Sequence, residues 1–242
     1  MTNVSKESAT IQQMFDRIVP TYDFLNSFLS LGCDHYWRRK SAILICSNKP
    51  ERILDVCCGT GEFSRVLQEE VGDDGQVVSC DFSEKMIQRA HQKYNSRWPF
   101  LRANCMCLPF ADDSFDAVTV AWGIRNVEKR SQSLHDMFCV CKKGGRICIL
   151  EFFPMNANPI FSRLFLFYFK HILPIIGAIV SRETNAYTYL PQSVEEFPSV
   201  EHFCQELIDT GYTDRENIIV KQFMFGVCVM VMATKTKNGE IQ

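Results

Sequence analysis

The 242-residue sequence predicts an α/β fold: a mostly parallel seven-stranded sheet with helices on both faces and an antiparallel hairpin at its C-terminal edge. Three observations predict it. Short apolar runs alternate with stretches of helical periodicity, the pattern of a parallel sheet covered by helices. A glycine-containing turn, Cys58-Gly59-Thr60-Gly61, follows the first of these runs. The last two runs, Asn217 to Phe223 and Phe225 to Thr234, stand too close for a helical crossover and therefore pair as a hairpin.

Each element has its own reason. From Ile11 to Cys46, Met14, Ile18, Leu25, Phe28 and Leu29 recur at helical spacing, with Pro20 breaking the run. Arg52 to Cys57 is a short apolar strand, and Gly61 opens a helix carrying Phe63, Val66 and Leu67. Gln76 to Cys80 is the second strand, after the turn-like Gly72 to Gly75. Ser83 caps a helix running to Tyr94, with Met86, Ile87 and Ala90 on its inner face. Pro99 to Ala103 is a weak third strand and Phe115 to Ala121 a strong fourth. Arg146 to Glu151 is the fifth, entered through the turn Lys142-Lys143-Gly144-Gly145. The chain reads as a single domain over 1–242, with a helical N-terminal arm at 1–48 and a helical insertion at 158–210.

Composition narrows the function. With 46% hydrophobic and 22% charged residues the chain is globular. A net charge of -2 and a pI near 6.2 argue against a protein gripping nucleic acid through its phosphates. No apolar signal core marks the N-terminus, so a cytoplasmic location with reduced thiols is expected. The twelve cysteines include the close pairs Cys57-Cys58, Cys105/Cys107 and Cys139/Cys141, none with the C-x-x-C spacing of structural zinc; no metal is expected.

Ligands of open α/β sheets bind at the carboxyl ends of the strands. Gly59 and Gly61 sit there, and without β-carbons they permit a sharp turn and close approach to a ligand. No Walker lysine follows, and Ser64 stands where a dinucleotide motif needs its third glycine. Asp81 ends the second strand twenty residues past Gly61, placed to accept hydrogen bonds from both ribose hydroxyls. Asn104, with Cys105 and Leu108-Pro109-Phe110, ends the third strand, where an amide or backbone group can read an adenine edge.

The set Asp55 to Gly61 (DVCCGTG), Asp81 and Asn104 resembles the class I S-adenosylmethionine-dependent methyltransferases, which are Rossmann-like. Three longer stretches are more specific: MFDRIVPTYDFLNSFLSLGCDHYWRR from Met14, WGIRNVEKR from Trp122 and AYTYLPQSVEEFPSVEHF from Ala186. Together with GGRICILEFF they resemble the ubiquinone/menaquinone C-methyltransferase family over about Met14 to Tyr212. The resemblance implies S-adenosylmethionine as cofactor and carbon methylation of a polyprenylated quinol ring, with demethylmenaquinol the leading substrate. A ubiquinone precursor, or another small molecule methylated by the same fold, is the alternative.

What the resemblance implies for single residues follows. Asp55, Cys57, Gly59, Thr60, Gly61, Asp81, Asn104 and Cys105 are expected at the cofactor, and Tyr22, Asn126, Tyr187 and Tyr189 at the quinol. Ala121 stands where the family often has a cofactor-contacting serine, and the family's common His-Arg ending is absent. Arg125, after the fourth strand, is expected to be catalytic by stabilising a phenolate. The alternative for it is a surface salt bridge with Glu128 or Asp136. Tyr22 and Asp23 are expected to fold over the cofactor as a lid, with a core-facing Tyr22 as the alternative. Tyr187 and Tyr189 alternate, so they are expected on one face of an extended segment. The apolar stretch Pro159 to Val180 is interrupted by Arg163, Lys170, His171 and Pro174 and is too short of uncharged residues to span a bilayer. A peripheral membrane contact, a wall around the prenyl tail from Phe165, Phe169 and Ile172, ordinary core packing and a homodimer contact stay open for it.

Overall fold

The computed structural model describes residues 8–95, 97–154 and 184–238. The segment 155–183, which holds the first part of the expected insertion together with Phe165, Phe169 and Ile172, lies outside the described residues, as do the side chains of 184–188.

Three helices form the arm: α1 (Ser8–Ile18), α2 (Tyr22–Leu29) and α3 (Cys33–Ile45). The break at Pro20 separates the first two, and Gly32 at φ 76° turns the chain into the third. The alternation then runs β1 (Arg52–Val56), α4 (Glu62–Val71), β2 (Gln76–Asp81), α5 (Glu84–Tyr94), β3 (Phe100–Arg102), β4 (Phe115–Ala121), α6 (Arg130–Val140) and β5 (Cys141–Glu151). Helices α7 (Thr184–Glu195) and α8 (Val200–Asp209) and strands β6 (Ile218–Phe223) and β7 (Cys228–Thr234) complete it.

The seven strands lie in the order β3-β2-β1-β4-β5-β7-β6. All pairings from β3 to β5 are parallel, and β7 runs antiparallel to both β5 and β6. Strand alternation feeds two cores. Ile53, Val77 and Ala117 pack with Trp37, Ile45, Phe63 and Leu67 of α3 and α4 on one face. Leu54, Val56, Val78, Val118 and Val120 pack with Phe138, Phe203 and Leu207 of α6 and α8 on the other. Burial of both faces is why these strands are near-continuous apolar runs.

Two expectations change. Lys142 to Gly145 form no turn before the fifth strand but belong to β5, as a bulge where pairing jumps from Phe115–Cys141 to Ala117–Arg146. Gly144 adopts φ 79°, and its N–H donates to the Lys235 carbonyl at 2.8 Å, so the segment is held from the far edge. Tyr187 and Tyr189 fall in helix α7, not an extended strand. Positions two apart on a helix do not share a face.

Candidate cofactor cleft

The order of strands reverses between β1 and β4, and the cleft opens there, above their carboxyl ends. Both strands end on a non-glycine residue in left-handed conformation, Cys57 (φ 54°) after β1 and Trp122 (φ 54°) after β4. Such strain persists only where the surroundings hold it. Here the two turns lock together: a Cβ on Gly123 would come 2.5 Å from Cys57 Cβ. Only glycine lets them pass.

The cleft is open to solvent and encloses a volume of about 120 Å³. Tyr22, Cys57, Gly59, Asp81, Asn104, Cys105 and Asn126 all line it. Five of the residues expected at the cofactor, from the turns after β1, β2 and β3, thus line one cleft, whereas Asp55, Thr60 and Gly61 do not line it.

The β1–α4 turn carries Gly59 at φ 56° and Gly61 at φ 84°. Gly61 is the N-cap of α4, and a Cβ there would strike the Phe100 ring at 2.8 Å. Gly59 has Tyr22 above it, 3.7 Å from where its Cβ would stand. Its N–H donates to Asp81 Oδ2 at 2.9 Å, while Ser83 N–H donates to Asp81 Oδ1 at 2.8 Å. Burial raises the Asp81 pKa, these two backbone donors pull it down, and Asp16 pushes it up again. Ser83 does cap α5, accepting from Met86 N–H at 3.1 Å.

Beneath the turn, Asp55 is fully buried. Its carboxyl accepts from Ser64 Oγ at 2.6 Å and Thr119 Oγ1 at 3.0 Å, which ties β1 to α4 and β4. Burial drives its pKa up to about 7 against the pull of those two hydroxyls. Cys57 and Cys105 meet across the cleft floor; their mutual hydrogen bond is the first cause raising the Cys57 thiol pKa and the first lowering that of Cys105. Asn104 Oδ1 accepts from Met106 N–H at 3.0 Å, shaping the loop that it presents.

The arm closes over this turn. Asp23 accepts a hydrogen bond from Thr60 Oγ1 and pairs with Lys93 Nζ at 2.7 Å, and Lys93 also binds Glu62. On α1, Asp16 accepts from Ser83 Oγ. Thr60 is therefore buried and engaged by the arm, and the lid expected of Tyr22 and Asp23 has contacts to hold it.

Arg125 is no surface residue. It is 6% exposed, standing behind the cleft wall formed by Trp122, Gly123 and Asn126. Its Nη1 donates to Glu151 Oε1 at 2.7 Å and to the Trp122 carbonyl at 2.7 Å, and its Nε to Ser193 Oγ at 3.3 Å. Neither Glu128 nor Asp136 is its partner: Glu128 accepts from Ser8, and Asp136 from Leu108 N–H. Asn126 Oδ1 accepts from Tyr189 OH at 3.0 Å, joining α7 to the cleft wall.

Sequence reasoning missed Arg38, buried on α3 with Asp34 as its ion-pair partner and the Trp122 ring 4.7 Å from its guanidinium carbon. The Asp34/Arg38 spacing of four was the available signal. It also missed Glu151, the buried partner of Arg125, at the end of a strand that reads only as apolar.

This fold, with a glycine turn after β1, an acid ending β2 and the reversal between β1 and β4, defines a class I S-adenosylmethionine-dependent methyltransferase. Solved structures agree on the fold: one S-adenosylmethionine-dependent methyltransferase from Thermotoga maritima matches with a TM-score of 0.62 at 16% identity, covering 92% of this chain and 99% of that one. Another, from Aquifex aeolicus, matches with a TM-score of 0.53 at 19% identity, covering 76% and 82%. The chain belongs to the ubiE/COQ5 methyltransferase family, whose model matches residues 1–235. Among its relatives, a demethylmenaquinone methyltransferase of Deinococcus radiodurans is 41% identical, covering 93% of this chain and 92% of that one. A ubiquinone/menaquinone biosynthesis C-methyltransferase, UbiE, of Geobacter sulfurreducens is 39% identical, covering 97% and 92%. The cofactor is S-adenosylmethionine. No helix among the described residues is long and apolar enough to cross a membrane.

Proposed function

We propose that the protein methylates a ring carbon of a polyprenylated quinol, with demethylmenaquinol as the substrate. The observation that carries this reading is the gathering of Tyr22, Asn126 and Tyr189, each from a different family-specific stretch, around the turn that ends β4. The names of the relatives support the same substrate class, and a ubiquinone precursor is the second reading because one set of relatives is named for both quinones.

S-adenosylmethionine supplies an electrophilic methyl group. The chain's own residues hold and orient it: Asp81 receives the ribose hydroxyls, Asn104 and Cys105 face the adenine, and Gly59, Thr60 and Gly61 bring the backbone close. A neutral quinol carbon is a poor nucleophile, and a phenol ionises only near pH 10. The site must favour the phenolate, which pushes electron density onto the adjacent ring carbon.

Arg125 is proposed to supply that help through its field rather than by touch. Burial dominates the two nearby phenols and raises both, taking Tyr189 to about 12, yet Arg125 is the leading charge drawing each of them down. A quinol hydroxyl between Tyr22 and Tyr189 would feel the same pull. Tyr187 is proposed at the same pocket on the strength of the family stretch alone. The apolar stretch Pro159 to Val180 is proposed to meet the prenyl tail at a membrane surface, and a homodimer contact is an alternative use of it.

The test is direct. Purified protein is given isotopically labelled S-adenosylmethionine with reduced demethylmenaquinone or a reduced ubiquinone precursor, and the label is located by mass spectrometry. Transfer to the unsubstituted ring carbon is the expected result. Transfer only to oxygen, or to neither quinol, overturns the reading.

A further inference from the structure

Large apolar side chains crowd one end of the molecular surface. Among the described residues, eight large hydrophobic side chains are exposed. Six of them belong to the arm or to the tip of the β6–β7 hairpin: Phe24, Phe28, Leu31, Tyr36, Met224 and Phe225. Phe24 and Phe28 stand one helical turn apart on the outer side of α2, their rings stacked with centroids 5.7 Å apart. Leu25 faces inward and is fully buried. A helix apolar on both sides belongs between two apolar phases, and only one of them is the protein core.

The two parts of this surface are joined. Leu31 is 81% exposed in the turn between α2 and α3, with φ 53°, and Tyr36 follows it in the first turn of α3. The Tyr36 ring meets that of Phe223 edge-on at 6.3 Å. Phe223 leads into the hairpin tip, where Met224 and Phe225 take left-handed φ of 44° and 55°. Strand pairing sets where that tip lies. Val229 of β7 sits opposite Glu151, the last residue of β5, so the hairpin turns at the carboxyl ends of the parallel strands. The cofactor cleft opens at the same end, and Tyr22 at the start of α2 lines it. The apolar surface and the cleft mouth thus share one end of the sheet.

Its charge is one-sided too. Between Phe24 and Lys40 the sole acid is Asp34, buried and paired with Arg38. Arg39 and Lys40 are exposed, and Lys40 Nζ stands 5.7 Å from the centroid of the Tyr36 ring. Lys221, near the hairpin tip, adds a third exposed cation. Long cationic side chains that run beside aromatic rings can keep their charge at a polar boundary while the rings enter an apolar one. Stacked rings, a leucine at the crest of a turn and exposed arginine and lysine therefore fit an anionic lipid surface. A second copy of the chain packed on the same face would bring these cations towards their own counterparts, which is unfavourable.

We infer that the outer face of α2, the α2–α3 turn and the β6–β7 tip dock the protein on an anionic bilayer surface, with Phe24, Phe28 and Leu31 entering the acyl boundary and Arg39 and Lys40 at the headgroups. The inference rests on the prenylated-quinol reading, since such a substrate keeps its tail in lipid, and it adds the surface that brings the cleft to that lipid. Helix α2 then serves two sides at once. Its start carries Tyr22 and Asp23 to the cofactor turn, and its outer side meets the bilayer.

Co-sedimentation with vesicles tests this. The unaltered protein is expected to bind vesicles containing phosphatidylglycerol, and to bind pure phosphatidylcholine vesicles more weakly by about fivefold for each cation at the headgroups. Phe24→Ser/Phe28→Ser should weaken binding to the anionic vesicles by about ten- to a hundredfold, because two phenyl rings no longer leave water. Leu31→Asn, which suits the left-handed turn, should weaken it less. Circular dichroism and calorimetry with S-adenosylmethionine check that each variant is folded and keeps its cofactor. Turnover gives a second readout. The double variant should lose activity on a long-tailed quinol carried in vesicles, yet methylate a short-tailed, water-soluble quinol at the unaltered rate. No vesicle binding by the unaltered protein, or binding unchanged in the folded double variant, overturns the inference. So does a dimer in analytical ultracentrifugation that the double variant splits while vesicles bind neither form. Absence of methyl transfer from the unaltered protein to the short-tailed quinol overturns the substrate reading instead, a distinct result.

Discussion

At Asp81 a single carboxylate has two duties. Its oxygens order the Gly59 and Ser83 amides, and the same group is proposed to receive the ribose. Asp81→Ala should therefore weaken S-adenosylmethionine by at least the roughly 1.5–3 kcal/mol of a charge-assisted hydrogen bond, because the loop loses its order as well. Titration calorimetry on folded variant checks it, and unchanged affinity would put the site elsewhere. Asp55 behaves differently. Its pKa rises from the ordinary value near 4 to about 7, so the folded state binds the proton more tightly than the unfolded chain. Its contribution to stability is present below about pH 4 and is lost as pH rises towards 7. Asp55→Asn lacks that loss. Urea denaturation at pH 5 and pH 8 should show the variant gaining on the unaltered protein at the higher pH. A constant difference between them would mean that Asp55 does not titrate in this range.

Among the elements, the turn after β4 and helix α7 are joined through Arg125. Its partner Glu151 is completely buried, and burial pushes that carboxyl up while Arg125 is the leading group drawing it down. Arg125→Ala strands this acid, and breaking a buried pair from one side typically costs about 3–5 kcal/mol. Pairing it with Glu151→Gln should recover most of the stability, read by thermal unfolding, without recovering turnover. Recovery of both would reduce Arg125 to a packing role. The same elements explain what was legible in the chain. Gly61 and Ser83 announce helix starts through local chemistry, and the structure puts both at caps. Tyr187 and Tyr189 misled because Tyr and Thr favour strands and Pro191 reads as a helix breaker, yet α7 carries that proline internally. The Lys142–Gly145 bulge depends on Lys235, ninety residues away from Gly145. A local pattern holds no trace of such a partner, nor of the Glu151–Arg125 pair.

For the whole molecule, the strand order and the convergence of three turns on one cleft follow from residues that a reader of the sequence can name: Gly59, Asp81, Asn104. The setting of Arg38 does not, because that residue gains its place only when α3 folds against Trp122. The arm that brings it there also bolts itself across the cleft, Asp23 to Thr60 and Lys93, Asp16 to Ser83. A molecule held under such a bar leaves only when the bar lifts, so the arm sets a dwell time. The spent cofactor, S-adenosylhomocysteine, should depart slowly, and faster as salt weakens the Asp23–Lys93 pair. Asp23→Asn should shorten the dwell about two- to fivefold, the kinetic equivalent of about 0.5–1 kcal/mol, and blunt its dependence on salt. Stopped-flow displacement of a fluorescent cofactor analogue measures both, and identical release from the variant would show that the arm is no bar. Release slow enough to limit turnover would place its tempo in α1 and α2, and loosening the arm alone would then speed the enzyme up.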